Sequence, residues 1–166
     1  YWYKKTTPKW KISPRFGASF PFSPTGVIHF SYGHFFQVPR FEMLYMNPDF
    51  DLSQGTGNIG VVGNADLRPE KTIQGELGLQ QQITNNMAID ITAYFRDIRD
   101  LAGTRSEEIS LFGGSASYNK LENSDFAYVR GLVLSLQMRE YKGFSGNLDY
   151  TFQIAKGSAS DPQQAR

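Results

Sequence analysis

Apolar and polar side chains alternate at every second residue through most of this sequence. In residues 11–22 the even positions are apolar, among them Ile12, Phe16 and Phe20, and the odd positions are mostly polar or small. The same alternation returns in residues 27–38, 72–83, 87–99, 127–139 and 144–156. A period of two is that of a β-strand with one apolar and one polar face. We therefore predict an all-β fold, an antiparallel up-and-down meander of about six long strands near these ranges.

The connections between these segments alternate in length. Short turn-forming stretches follow the first, third and fifth segments, whereas the links 39–71 and 101–125 are long and rich in Gly and Asn. Links of this length are uncommon in compact domains. Barrels of the bacterial outer membrane have tight turns at one rim and extended loops at the other. The pattern thus predicts part of a transmembrane β-barrel, with extracellular loops near 39–71 and 101–125.

Strand length and the placement of aromatic residues agree with a membrane. A strand of about 11 residues tilted by about 45° spans roughly 26 Å, close to the apolar band of an outer-membrane barrel. Phe20 and Phe144 lie near short turns, and Tyr32 and Phe36 lie near a long link, as expected of interfacial aromatic girdles. The alternative on pattern alone is the core of a soluble β-sandwich, such as a lectin.

Composition excludes several other classes. The formal net charge is +1 and no basic stripe is present, so we expect no nucleic-acid partner. The chain has no cysteine, and neither His29 nor His34 has an acidic residue at metal-ligand spacing. Asp49 belongs to an alternating polar run that resembles the start of a calcium loop but lacks its glycine and its final glutamate. The sequence predicts no metal, no cofactor and no catalytic constellation.

Both ends of the chain look truncated. The sequence begins at Tyr1 without an initiator Met or a signal segment, and it ends in a polar stretch without a closing strand. An unclosed sheet of about six strands leaves unpaired edges in lipid, and the smallest bacterial barrels have about eight strands. We therefore expect a fragment whose remaining barrel strands lie elsewhere.

Four short motifs give the chain a family resemblance along most of its length. They are SPRFG at 13–17, FSYGHFFQVP at 30–39, GNADLRPEKT at 63–72 and TAYFRDI at 92–98. In this order and spacing they resemble TonB-dependent receptors, especially the large group common in Bacteroidota. The stretch 131–139 is a weaker match, because this chain has Val133 or Leu134 where the family usually places a Glu.

The resemblance implies a location and a function. The intact protein would be a wide outer-membrane barrel of about 22 strands whose lumen is blocked by a plug domain. It would take up a scarce nutrient such as a siderophore, cobalamin, an oligosaccharide or a peptide. The implied partners are outer-membrane lipid, the rest of the barrel with its plug, the nutrient, and TonB through a missing N-terminal part.

Two groups of candidate site residues follow. For ligand contact we choose aromatic and polar residues of the first long link, because such sites combine a stacking surface with a few polar anchors; they are Arg40, Glu42, Tyr45, Asp49 and Asn58. The motif at 63–72 contains turn formers and is expected to fold the link back into the wall, with Glu70 at the water-facing rim. Its structural residues are predicted to be Asn64, Asp66, Leu67, Pro69 and Glu70.

Three other functional classes share part of this pattern. A surface-binding barrel that does not transport would have the same strands without an upstream plug. An outer-membrane enzyme would need Ser, His and acidic residues converging at the rim. A soluble β-sandwich lectin would be released from membranes by salt.

Overall fold

A computed structural model of the chain describes residues 6–46, 60–104, 109–111 and 116–158. Within these ranges the fold is all-β apart from one short helix, α1 (Phe41–Tyr45). The strands are β1 Arg15–Ser23, β2 Gly26–Gln37, β3 Gly60–Val62, β4 Glu70–Thr84, β5 Met87–Thr104, β6 Ile109–Leu111, β7 Ala116–Tyr141 and β8 Phe144–Gly157. Within the described ranges, no helix is both long and apolar enough to cross a membrane.

The long strands form one antiparallel meander. β1 pairs with β2, β2 with β4, β4 with β5, β5 with β7, and β7 with β8. Tight turns join β1 to β2, β4 to β5 and β7 to β8, and we call this the short-turn end of the sheet. The prediction of an all-β, up-and-down antiparallel sheet is confirmed.

The register aligns apolar residues into rows that cross every long strand. One such row consists of Phe20, Ile28, Leu79, Ile91, Leu134 and Tyr150. Side chains on this face remain open to the surroundings, with Leu77 exposed by 55% and Phe152 by 54%. No second layer covers the face in the part of the chain that the structure describes. This arrangement contradicts the sandwich interpretation, in which the same residues would form a core.

The opposite face of the sheet is polar and hydrogen-bonded across strands. Ser31, Glu76 and Tyr94 lie in one register row, together with Gln153. The Ser31 hydroxyl donates to Glu76 Oε2 at 3.4 Å, and the Tyr94 hydroxyl donates to Gln153 Oε1 at 2.8 Å. Closer to the short-turn end, the Ser135 hydroxyl of β7 donates to Asp149 Oδ1 of β8. This face therefore has the partners that a wall lining a wet lumen requires.

The residues that break the alternation are each explained by a contact. Phe35 lies on the polar face, where the Arg15 guanidinium stacks 4.5 Å from its ring centroid. Gly33 provides the space, since a Cβ there would lie 3.0 Å from the Phe35 ring. His34 lies on the apolar face, and its Nε2 is 2.9 Å from the Tyr32 hydroxyl.

The strand ends differ from the predicted bounds. β1 begins at Arg15 rather than near residue 11, because Pro14 has no N–H to donate to the ladder. The segment 101–125, predicted to be a loop, is strand at both ends: β5 continues to Thr104 and β7 begins at Ala116. These extensions lie beyond the apolar rows of the sheet. Neither of their faces is consistently apolar, so their sequence does not alternate.

Glu70, which we predicted at the water-facing rim, is the first residue of β4 and pairs with Gln37 of β2, so β4 begins two residues before the predicted segment. The link before it also contains structure of its own. β3 pairs in parallel with Tyr118–Lys120 of β7, so the link crosses the sheet to the far edge of the β7 extension.

Candidate functional site

The helix α1 carries the predicted ligand-contact residues that the structure describes. Arg40 precedes the helix, and its carbonyl accepts the Met43 amide at 2.9 Å. Glu42 lies in the first turn and is exposed. Tyr45 lies in the last turn and packs against Phe41, with ring centroids 4.7 Å apart. Asp49 and Asn58 lie outside the described residues.

The structure adds Phe41 to this group. Its side chain is 75% exposed, although it is large and aromatic. The spacing of four residues between Phe41 and Tyr45 places both rings on one side of the helix. Of the two rings, sequence reasoning chose Tyr45 alone, because the i, i+4 spacing brings Phe41 beside it only once the helix is known. Arg40 and Glu42, which are also exposed, are neighbours of Phe41 in the sequence, and we call these four residues the helix α1 surface.

The motif at 63–72 holds α1 in place through backbone contacts. The Gly63 amide donates to the Met46 carbonyl at 2.9 Å, and the Asn64 amide donates to the Met43 carbonyl at 3.0 Å. The backbone of α1 approaches Gly63 so closely that an added Cβ would lie 2.5 Å from the Met46 nitrogen. The two predicted residue groups are therefore joined: the motif packs against the end of the helix that carries Tyr45.

Buried apolar residues lie in this motif and beside it. Leu67, which is 4% exposed, and Ala65 belong to the motif, Val62, which is 6% exposed, directly precedes it, and Leu121 lies on β7. The Asn64 side chain accepts the Asp66 amide at 3.0 Å, which closes a turn. Its Nδ2 donates to the Leu121 carbonyl at 3.0 Å. One short segment thus bends the chain and attaches it to the β7 extension.

Asp66 attaches the motif to the segment that precedes β1. Its Oδ1 accepts the Thr7 amide at 3.0 Å, the Thr7 hydroxyl at 2.7 Å and Lys9 Nζ at 2.6 Å. The hydrogen bond from Lys9, followed by those from Thr7, holds the pKa of Asp66 far below its ordinary value. The carboxylate is therefore charged at any physiological pH and can keep all three contacts.

Asn123 is a residue that sequence reasoning missed. Its Oδ1 accepts the Arg68 amide at 2.8 Å, and its Nδ2 donates to the carbonyls of Arg68 at 2.9 Å and Asp100 at 2.6 Å. Arg68 also pairs with Asp100 at 2.8 Å. Pro69 follows this contact and precedes β4. No local signal indicates such a role for Asn123, because its partners are far away in the sequence.

Comparison with protein families gives one match over almost the whole chain. The model described as TonB dependent receptor-like, beta-barrel matches residues 2–165.

A curated relative supports this match. It is the iron-regulated outer membrane virulence protein of Vibrio cholerae, 26% identical over 152 residues that cover 87% of this chain and 23% of the relative. The chain thus spans about a quarter of its curated relative. The likeness to the Bacteroidota group is not supported, since this relative comes from Vibrio.

Solved structures share the fold. The outer membrane transporter YddB from Escherichia coli has a TM-score of 0.72 at 17% identity, covering 89% of this chain and 20% of that one. The siderophore receptor PirA from Pseudomonas aeruginosa has a TM-score of 0.66 at 18% identity, covering 86% of this chain and 28% of that one. The ferric enterobactin receptor PfeA of the same organism has a TM-score of 0.64 at 23% identity, covering 84% and 21%. Identities this low show a common fold and nothing of the ligand.

Proposed function

Because this chain belongs to the TonB-dependent receptor-like β-barrel family, we propose that it supplies barrel wall and extracellular loops to a receptor that takes up a scarce nutrient. The family is one of the bacterial outer membrane, and this chain lies there. In the proposed receptor, further strands close the barrel, a plug domain fills the lumen, and TonB supplies the energy for uptake.

The observation that carries this proposal is the two-sided wall. Apolar rows cover one face without a second layer, and a hydrogen-bonded polar network covers the other. Such a wall suits acyl chains outside and a wet interior inside. Six long strands with two free edges would leave unpaired backbone groups in lipid, at several kcal/mol each, so the wall requires neighbouring strands.

For the nutrient we propose a ferric siderophore. The curated relative is named as iron-regulated, and two proteins of the same fold are named as a siderophore receptor and a ferric enterobactin receptor. The copper transporter OprC shares the fold as well, with a TM-score of 0.56. Copper, and the cobalamin, oligosaccharides and peptides that the family resemblance also allows, are the competing cargoes that an experiment has to separate from a ferric siderophore.

We propose the helix α1 surface as a ligand-contact region, together with Asp49 and Asn58 further along the same link. Phe41 and Tyr45 offer stacking area, and Arg40 and Glu42 offer charged anchors. The five motif residues from Asn64 to Glu70 would act through this surface by holding it against the wall. Their role is structural in this proposal.

We propose that the plug contacts the polar face near the short-turn end. There the side chains of Gln80, Gln82, Gln137 and Arg139 line a concave surface with the adjoining turn residues. Amides and a guanidinium provide several donors, which suits contact with the polar surface of a packed domain. We assign no catalytic step to this chain, because the family comprises receptors rather than enzymes.

Uptake of labelled iron by cells tests the function. Cells that express the complete receptor are grown under iron limitation and offered radioactive ferric enterobactin, with cobalamin as the comparison cargo. We expect iron uptake that stops when TonB is deleted. Surface binding without TonB-dependent uptake would instead support a non-transporting barrel, and turnover of the ligand would support an enzyme.

Substitution at the helix α1 surface tests the contact region. In the variant Phe41→Ala with Tyr45→Ala, we expect the KM for ferric enterobactin uptake to rise by about fivefold, since paired rings supply roughly 1 kcal/mol beyond their buried area. The matched control is Phe144→Ala, which removes an equally exposed ring at the short-turn end. An unchanged KM in the double variant would contradict the assignment.

A further inference from the structure

The apolar face changes character towards the end of the sheet that carries the long links. The last largely apolar register row contains Phe16, Tyr32, Gly75, Phe95, Arg130 and Ile154. The next row contains His34, Ile73, Asp97, Tyr128 and Lys156. Beyond it, Phe36, Lys71 and Arg99 are paired. Basic residues thus enter the face where the apolar rows end.

These basic residues are concentrated and largely unpaired. We call Lys71, Arg99, Arg130 and Lys156 the basic belt. In the register rows above, Asp97 is the one carboxylate, and it binds Arg99 with an Nε–Oδ1 distance of 2.6 Å. Among the described residues, the other three cations take part in no ion pair. Each of Arg99, Arg130 and Lys156 is exposed, and Lys71 is half-buried.

Aromatic side chains lie beside the basic belt. The Arg99 guanidinium lies 5.4 Å from the centroid of the Phe126 ring, and Tyr128 pairs in register with Asp97 and Lys156. Rings mixed with cations are typical of the boundary between the acyl chains and the headgroups of a membrane. The belt therefore has the composition of an interfacial band.

The position of the belt relative to the apolar rows fits that boundary. On β7 the apolar face runs from Arg130 down to Met138. At about 3.4 Å per residue and a tilt of about 45°, this distance covers roughly 20 Å of the membrane normal. A cation on the lipid-facing side is strongly destabilising at the midplane and almost neutral at the interface. The belt must therefore lie at the headgroup level of the leaflet next to the long links, which is the outer leaflet.

We propose that the basic belt is a docking surface for the phosphorylated headgroups of outer-leaflet lipids. Lys71 and Arg99 are direct cross-strand partners, and Arg130 and Lys156 are diagonal neighbours. Diagonal neighbours lie roughly 7–8 Å apart, so one phosphate group can contact both side chains. Arg offers a planar fork to phosphate, and Lys offers a mobile point charge. This role is separate from uptake and does not depend on which nutrient the receptor carries.

The test removes the unpaired cations and measures lipid binding. The belt variant combines Lys71→Gln, Arg130→Gln and Lys156→Gln, and it keeps Arg99 so that Asp97 retains its partner. The control variant combines Arg15→Gln, Arg96→Gln and Arg139→Gln, which removes the same charge from the polar face. Each complete receptor, in detergent, is titrated with bisphosphorylated lipid A, with its dephosphorylated form and with inorganic phosphate, and bound lipid is counted by native mass spectrometry.

We expect the belt variant to bind bisphosphorylated lipid A on the order of a hundredfold more weakly, since each basic residue at an anionic surface contributes about fivefold. The control should stay within about twofold, because its charges lie on the other face. The proposal is overturned if the belt variant binds as the wild type does, if the control loses as much, or if dephosphorylated lipid or free phosphate binds equally well. If the belt variant does not fold, the pair Arg130→Gln and Lys156→Gln is judged by the same criteria.

Discussion

At the scale of single residues, the motif at 63–72 combines a close backbone approach at Gly63 with side-chain hydrogen bonds of Asn64 and Asp66. At Gly63 the motif makes its closest backbone contact with the segment of α1. A Cβ at this position would lie 2.5 Å from the Met46 nitrogen and 2.8 Å from the Met43 carbonyl oxygen. Both are backbone atoms, which cannot rotate away as a flexible side chain would. A glycine here is required by the approach of α1.

Gly63→Ala should therefore displace α1 from the motif. We expect a destabilisation of about 1–3 kcal/mol, the usual effect of overpacking. The amides of Gly63 and Asn64, which donate to Met46 and Met43, should then exchange hydrogen faster. Gly146→Ala is the control, since nothing lies within 4 Å of its added Cβ. Unchanged exchange in Gly63→Ala would contradict the described packing.

Asp66 provides a pH-dependent contact. Because its pKa is lower in the folded state than the ordinary value of about 3.9, the attachment of Thr7 and Lys9 is fully stabilising above that pH. It is lost only as the pH falls towards the lower, folded-state pKa. Protection of the Thr7 amide, taken relative to its intrinsic exchange rate at each pH, should therefore be high at neutral pH and fall in strong acid. Asp66→Ala removes the acceptor of the Thr7 amide and should therefore show fast exchange already at neutral pH. Slow exchange in this variant would contradict the assignment.

At the scale of elements, the sequence predicts a strand wherever its two faces meet different surroundings, because apolar and polar side chains then alternate along it. The six alternating segments correspond to β1, β2, β4, β5, β7 and β8, and Arg130 breaks the alternation because it belongs to the interface. The extensions of β5 and β7 show no regular alternation of apolar and polar residues and were predicted to be a loop. The parallel pairing of β3 with β7 and the contacts of Asn123 join distant residues, and such pairings leave no periodic signal.

The same reasoning predicted part of the candidate site. The turn formers of the motif at 63–72 predict a structural role for it. The structure adds that Leu67 of this motif is buried. The helix α1 was not predicted, because five residues are too few to display a helical period. Its contact with Gly63 depends on a close approach of two backbone segments, which the sequence does not indicate.

Substitutions at neighbouring positions of β4 separate its two faces. Leu79 lies in the central apolar row, and Gln80 lies on the polar face. Leu79→Arg should destabilise the complete barrel by about 2–4 kcal/mol, the effect of Arg near the midplane of the bilayer. Gln80→Arg should have little effect, because the polar face is wet. Unfolding by denaturant in lipid vesicles measures both, and equal losses would refute the assignment of the faces.

At the scale of the whole molecule, the described chain is an open wall. β1 and β8 are its outer strands along the main part of the sheet, and each has one edge without a partner among the described residues. In the proposed receptor, closure by further strands would satisfy these edges and enclose the polar face. The proposed plug contacts, the helix α1 surface and the basic belt then lie on three different sides of one barrel: the lumen, the extracellular rim and the outer leaflet.

Spin-label accessibility along β4 tests the central claim most directly. Single Cys residues are placed at positions 76, 77, 79, 80, 81 and 82 of a complete receptor from which any cysteine outside this chain has been removed, and they are labelled with a nitroxide. Gly75 and Gly78 are left unchanged, because an added Cβ would lie too close to the Phe95 ring at the first position and to the His29 ring at the second. In lipid vesicles, labels at odd positions should be relaxed mainly by oxygen, which partitions into acyl chains. Labels at even positions should be relaxed mainly by a water-soluble nickel complex. Equal accessibility at odd and even positions would contradict a wall between lipid and a wet lumen.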